Sequence, residues 1–422
     1  MTRSSNRAFI ADHWRFLCFG FMLTFTCNLG QTFFIGLYNP FIREAYSLSN
    51  GDFGALYGFA TLCSAALLVW LGRLVDHIEL RRYTLVVIIG MAIACLLMHT
   101  DLGIVGLGLA LLLLRLCGQG LMPHISTTGM GRYFEETRGR AIGLANLGFS
   151  SGQIVLPMIA AALIALVGWR QSWAVYALGL IVLTIPLMRF LLKDHDRRHQ
   201  HWEAQIALRE AEGTAPEPLR APLRQGVFRD PRFYIILPAT LGSPLCGTSI
   251  FFFQAQLMAE KGWADNLFAL SFPFYAVAAT TAHLSGGFIL DRIGGGLKLL
   301  PLAFIPYITG IVTLALTGNA AWFPVMMVLI GASTGLLGVI GGTLWPELYG
   351  TRTLGALRAF TSSVMVFSTA IAPFAVGRLY DAGISVRATY FGFAAYMIVF
   401  CLLLLPISYG RQGNTPRTSK TA

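Results

Sequence analysis

The chain reads as an all-α polytopic membrane protein whose twelve transmembrane helices form two pseudo-symmetric six-helix bundles. Three observations carry that reading. Charged residues make up only 12% of the 422-residue chain and apolar residues 55%, where a soluble protein carries about 25% charged residues. Twelve apolar runs are long enough to cross a bilayer, which takes about 20 mostly apolar residues per helix. Finally, Gly72-Arg-Leu-Val-Asp76 recurs as Gly287-Phe-Ile-Leu-Asp291, 215 residues later and again at the end of an apolar run. That offset is about half the chain, the spacing of a duplicated membrane protein.

The runs cover residues 14–38, 52–73, 82–99, 103–125, 139–166, 171–191, 233–258, 266–290, 297–317, 321–344, 354–377 and 386–408. The first follows a polar start with Arg3, Arg7 and Arg15 and continues without a small-residue cleavage site. It therefore reads as an uncleaved first span, not a signal peptide. One connection is long. Residues 192–231 hold Lys193, Arg197, Arg198, Glu203, Arg209, Glu210, Glu212 and the prolines Pro216, Pro218, Pro222 and Pro231. This is a charged linker, with a short amphipathic helix expected near 200–212. The expected organisation is a bundle over 1–191, the linker 192–231, a second bundle over 232–410 and a tail over 411–422.

Orientation follows from the basic residues. Twelve spans put both termini on one side. That side carries Arg3, Arg7, Arg15, the 73–82 cluster, Arg132, Arg138, Arg140, the linker, Arg292, Lys298, Arg352, Arg358, Arg411, Arg417 and Lys420. The other carries Arg43, Arg170, Lys261, Arg378 and Arg387. A Lys/Arg excess marks the cytoplasmic side, so both termini are expected there, in a cell membrane such as a bacterial inner membrane. The same distribution excludes nucleic acid as a partner. The basic residues lie in short loops between apolar runs, not in a patch interleaved with aromatics. The seven cysteines fall within apolar runs without a C-x-x-C pair and read as small hydrophobes, not metal ligands. No phosphate-binding loop and no catalytic Ser/His/Asp arrangement stands out, so neither an enzyme nor a cofactor is expected.

The halves match at further points. Gly120-Leu121 recurs as Gly335-Leu336, and Thr137-Arg138 recurs as Thr351-Arg352. Together with the Gly-x-x-x-Asp copies and Leu114-Arg115-Leu-Cys-Gly118-Gln119-Gly120, this pattern resembles the major facilitator superfamily of secondary transporters over essentially the whole chain. The loops look like the family's signature between helices two and three and between eight and nine. The second copy keeps Asp-Arg-x-Gly. The first departs, with Ile78-Glu79 where the pattern has Gly after x. The resemblance implies the major facilitator fold and a gating role for Gly72, Asp76, Arg81, Arg82, Gly287, Asp291 and Arg292. In the family such contacts latch the halves while the cavity faces outward, and their release lets the halves rock. Small Gly72 and Gly287 would let helices pack closely there, and Asp76 and Asp291 would suit a helix N-terminus.

Ionisable groups inside a membrane cost about 2.5–3.5 kcal/mol on insertion scales and need a reason. Arg115 lies roughly mid-span, with no mid-span Asp or Glu to pair with it. It could bind an anionic substrate or hydrogen-bond backbone carbonyls structurally. His283 stands four residues before Gly287 and eight before Asp291. In the oxalate–formate exchanger and monocarboxylate transporter families this register resembles Arg-x-x-x-Gly-x-x-x-Asp, whose arginine binds the substrate carboxylate. Histidine here would make the site pH-dependent, unless a neighbouring hydroxyl, Thr280 or Thr281, simply satisfies it. The basic residue those families use in helix eleven is absent, and Met365 falls near it.

In the fifth run Asn146, Ser150, Gln153 and Pro157 share one helical face, a polar stripe that should meet a cavity or another helix. Asn28 and Gln31 in the first run, and Gln119 in the fourth, join them as candidate substrate-binding or coupling residues. Arg358, about one turn inside the eleventh run, could attract anions at the cytoplasmic mouth or snorkel to the interface, and snorkelling is favoured. His195, His199 and His201 read as solvated loop residues, not a metal site.

The function expected is secondary transport of a small organic anion, a carboxylate, by alternating access, with protons as coupling ion and a monomer as the working unit. The alternatives are proton-driven efflux of amphipathic compounds and a transporter-like solute sensor.

Overall fold

The computed structural model describes residues 3–134, 137–193, 195–200, 202, 204, 225–350 and 354–409, with side chains for all of these except 3–8, 76, 225 and 226. Twelve of the described helices are long and apolar enough to cross a membrane. They are α1 (Phe9–Ala45), α2 (Asn50–Val75), α3 (Leu80–His99), α4 (Gly103–Tyr133), α5 (Arg138–Val167), α6 (Trp169–Leu191), α7 (Phe233–Phe252), α8 (Leu267–Ile293), α9 (Gly296–Leu316), α10 (Ala320–Tyr349), α11 (Leu354–Asp381) and α12 (Val386–Tyr409). All twelve apolar runs are helices. Most extend beyond the run, because backbone hydrogen bonds made within the helix do not stop at the last apolar residue. The first run is broken at Gln31 (φ −82°, ψ 152°), and the seventh does not continue to its end as one helix. Phe253 interrupts it (φ −103°, ψ 26°), and Gln254–Lys261 forms a separate short helix. Of the helix expected near 200–212, residues 200, 202 and 204 are described and helical; the rest of it, the prolines Pro216, Pro218 and Pro222, His201 and the 411–422 tail lie outside the described residues.

The duplication read from the sequence is present in the packing. In the first half α1 packs on α5, α2 on α4 and α3 on α6; in the second α7 packs on α11, α8 on α10 and α9 on α12. Each pair recurs six helices later. Across the halves α2 meets α11, α5 meets α8 and α1 meets α7. Exchanging the halves turns α2–α11 into α8–α5, so these two contacts are equivalent by topology and can be compared directly. Large apolar side chains such as Val86 and Phe288 stay exposed on the outer surface, as a lipid-facing surface requires.

Candidate functional site

Two irregular stretches shape the centre of the first half. α1 tightens into a 3-10 turn at Cys27–Gly30, and α4 loosens into a π-helix over Leu114–Leu121. Gly30 lies so close to α4 that a Cβ there would collide with the Leu114 carbonyl. Irregular backbone survives at membrane depth only where protein groups satisfy it. Arg115 does this: its Nη1 donates to the Gly30 carbonyl at 3.1 Å. Its Nε donates to Thr61 Oγ1 at 3.1 Å, and the guanidinium lies 5.1 Å from the centre of the Tyr57 ring. Arg115 is 2% exposed and has no Asp or Glu partner among the described residues.

A cavity of about 530 Å³ lies between the halves. The first half contributes Gln31, Gln119, Asn146, Ser150 and Gln153, and the second Tyr275, Thr280, His283 and Thr334. A neighbouring cavity of about 540 Å³ in the second half shares Thr334 and is lined by Arg358, Thr361, Ser362 and Met365. Among the described residues no Asp or Glu lines either one. Arg358 is exposed. It turns into the second cavity and donates from Nη2 to the Gly342 carbonyl at 2.6 Å, where Gly341 and Gly342 leave open space. Thr280 does not occupy His283. It shares a 2.7 Å hydrogen bond with Ser150 across the two halves, and the His283 ring rests near Gly338 of α10.

Five of the seven candidate substrate residues, Gln31, Gln119, Asn146, Gln153 and His283, line the central cavity. Arg115 and Asn28 do not. Asn28 is fully buried, with Nδ2 in reach of the Thr24, Phe25 and Phe149 carbonyls, and it fills the notch left by Gly152. It ties α1 to α5. Tyr275, Thr280 and Thr334 were missed as cavity residues. One had a signal: Thr334 lies 215 residues after Gln119, so the repeat pairs two lining positions.

On the side of the bundle away from the chain termini the halves close against each other. The Asp381 carboxylate accepts from the first backbone amides of α2, Asn50 at 2.9 Å and Gly51 at 2.8 Å. Arg378 pairs with Asp52 at 2.9 Å. Gly54 and Gly58 sit against the Pro373 and Ala370 carbonyls, where any Cβ would collide. Beside this seam Phe33 stacks on Phe272 at 4.5 Å, and Asn39 donates to the Phe252 carbonyl at 2.8 Å. Towards the terminal side no such seam is built among the described residues. A Cβ at Gly139, Gly143, Gly287 or Gly355 would meet nothing within 4 Å.

The family model for the Major Facilitator Superfamily matches residues 20–373. The chain belongs to that superfamily. Solved structures share the fold. A nucleoside transporter, NupG, aligns with a TM-score of 0.67 at 14% identity, over 94% of this chain and 98% of that one. A bacterial homologue of the human lysosomal transporter Spinster, in an inward-facing and occupied conformation, aligns with a TM-score of 0.61 at 15% identity, over 95% and 97%. A search of curated sequences gives no match.

The superfamily signature loops differ in their surroundings. In the first copy Gly72 is buried and its carbonyl is 3.0 Å from His124 Nε2, while Arg132 donates to the Val75 carbonyl at 3.3 Å. Arg81 is exposed, and Arg82 pairs locally with Glu79 at 3.0 Å. The Asp76 side chain lies outside the described residues. In the second copy Asp291 and Arg292 are exposed, and Gly294 and Gly295 turn the chain into α9 with φ of 90° and 125°, values that favour glycine. Close packing requires neither Gly72, where a Cβ would sit 3.5 Å from His124, nor Gly287 in this conformation.

Proposed function

We propose that the chain is a secondary transporter for a small polar organic anion, a carboxylate, working by alternating access with protons as the coupling ion. One observation carries the reading. A cavity walled by both halves is sealed on one face and bears an imidazole and an adjoining guanidinium, with no carboxylate lining it among the described residues. The His283 imidazole would face the solute from the second half, and Arg358 would supply a positive charge beside it. The carboxamides of Gln31, Gln119, Asn146 and Gln153 would orient the rest of the solute. Arg115 would act as a positioning residue that holds the α1 break in shape, so that Gln31 faces the cavity. The basic bias of the loops supports cytoplasmic termini, which makes this conformation inward-open, and a single chain with both halves supports a monomer. A second reading, a neutral polar solute, is favoured by the four carboxamides.

The test is ligand-dependent thermal stabilisation of the purified protein. The panel holds small mono- and dicarboxylates, nucleosides, sugars and cationic amphiphiles, at about pH 5.5 and about pH 7.5. The anion reading expects a carboxylate to stabilise wild type, more at the lower pH. Affinity should fall about tenfold or more in His283→Ala, the scale of one charged hydrogen bond. Stabilisation by nucleosides or sugars alone, independent of pH, would select the neutral reading. Stabilisation by cationic amphiphiles alone would select efflux. Binding of a solute without its movement in vesicles would select a sensor.

A further inference from the structure

A second polar pocket, of about 310 Å³, lies far from the central cavity, where the start of the linker folds back between α1 and α6. Asp12, His13, Trp14 and Arg15 line it from α1, and His195 and Arg198 from the linker. The linker was expected to be solvated here, but His195 is 4% exposed. It stacks on Phe16 at 5.8 Å and meets the Tyr133 ring edge-on at 5.1 Å. Arg198 lies 4.3 Å from the centre of the Phe16 ring, which fixes the plane of its guanidinium beside the pocket. Buried His195 Nδ1 has no hydrogen-bond partner among the described residues, which is costly unless something fills that role. The position in the membrane is marked as well. Trp14 and Phe190 are 44% and 47% exposed, with Arg15 against both rings at 5.7 and 5.1 Å. An exposed Trp beside an Arg suits the headgroup level, where aromatic side chains collect.

We propose that this pocket binds a phosphate-bearing anion, with the headgroup of an anionic phospholipid as its source, held by Arg15 and Arg198 and reached from the bilayer past Trp14 and Phe190. The chemistry fits. Two guanidiniums and a buried imidazole converge, and guanidinium geometry matches phosphate oxygens. Basic pockets between membrane helices at the cytoplasmic boundary take such headgroups. Among the described residues Asp12 is the one acid on the wall, so it opposes the ligand and sets the affinity. Occupancy would clamp the first turn of the linker to α1 and α6.

The test uses the full-length protein in neutral detergent. The probes are short-chain phosphatidylglycerol, short-chain phosphatidylcholine and inorganic phosphate, with thermal stabilisation and affinity as readouts. Phosphatidylglycerol is expected to stabilise wild type where phosphatidylcholine does not. Arg198→Gln should weaken that binding about fivefold, the scale of one cation at an anionic surface. Asp12→Asn should tighten it, and Arg387→Gln, on the far side, should leave it unchanged. If Arg198→Gln does not fold, the gain in Asp12→Asn still decides the matter. Inorganic phosphate acting as strongly as the lipid would keep the site and make free phosphate its source. Equal stabilisation by both lipids, or an affinity unchanged in Asp12→Asn, would overturn the proposal.

Discussion

The two faces of the molecule hold their halves together in opposite ways. On the terminal side lie the repeated Gly-x-x-x-Asp loops, the most visible pattern in the sequence. Their second copy stands free, with Asp291 and Arg292 exposed and open space around Gly287. On the far side the α2–α11 seam is fully made, through glycines, backbone carbonyls and a carboxylate on a helix N-terminus. The equivalent contact, α8–α5, has no such seam. Gly51, Gly54 and Gly58 correspond at the 215-residue offset to Asn266, Ala269 and Pro273. α8 carries Asn, Ala and Pro where α2 has glycines, and it meets α5 through the Thr280–Ser150 hydrogen bond instead. Fold symmetry is therefore broken residue by residue between two contacts that share the far face.

The largest effect should come from filling the seam. Gly58→Val places atoms where the Ala370 carbonyl now lies. Overpacking costs about 1–3 kcal/mol, so the far side should open and transport should fall at least about fivefold. Alkylation of a cysteine placed at Gln31, from the far side, reads this directly. Gly287→Val should leave this conformation unchanged, since nothing surrounds it. A smaller effect is expected from Asp381→Asn, which removes the charge from the α2 N-terminus. A cap of this kind is worth about 0.5–2 kcal/mol, and far-side alkylation should rise about fivefold.

Much of this was legible in advance, and the reasons for the rest are physical. Span number, duplication and the polar stripe of α5 follow from length and periodicity, which a sequence displays. Gln119, Gln153 and His283 were found because polar groups at membrane depth are rare enough to stand out. Asp381 was not found, because it ends its helix in a region where charges are ordinary. Only the fold, bringing residue 381 to residue 50, gives it a role. Arg115 and Asn28 stood out for the right reason, but sequence could not tell a cavity from a helix–helix contact. The two readings of Arg358 could not be told apart in sequence, because the space beside Gly341 and Gly342 that it enters belongs to another helix.

A third prediction concerns the terminal face alone. Burial, followed by the charges of His199 and Arg198, lowers the His195 imidazole to about 4. An undocked histidine titrates near 6.5 and takes up a proton that the docked one refuses. Docking of 195–200 should be complete above about pH 6.5 and weaken as pH falls towards about 4. Hydrogen exchange across that segment should rise over this window while the α2–α11 seam stays protected. The smallest effect is expected from Arg378→Gln. Its pair with Asp52 is half exposed and worth at most about 1 kcal/mol, less at high salt. A loss as large as that of Gly58→Val would mean that charge, not close packing, closes the far side.

The most direct test of alternating access at these two faces is a pair of spin-label distances in bilayers, in a variant lacking the seven native cysteines. One pair spans the far side at Ala45 and Ala382, the other the terminal side at Trp70 and Gly355. Wild type should be short across the far side and long across the terminal side, and Gly58→Val should lengthen the first and shorten the second. Distances that stay fixed in Gly58→Val, or that lengthen on both sides together, would contradict a rocking transporter sealed by the α2–α11 seam.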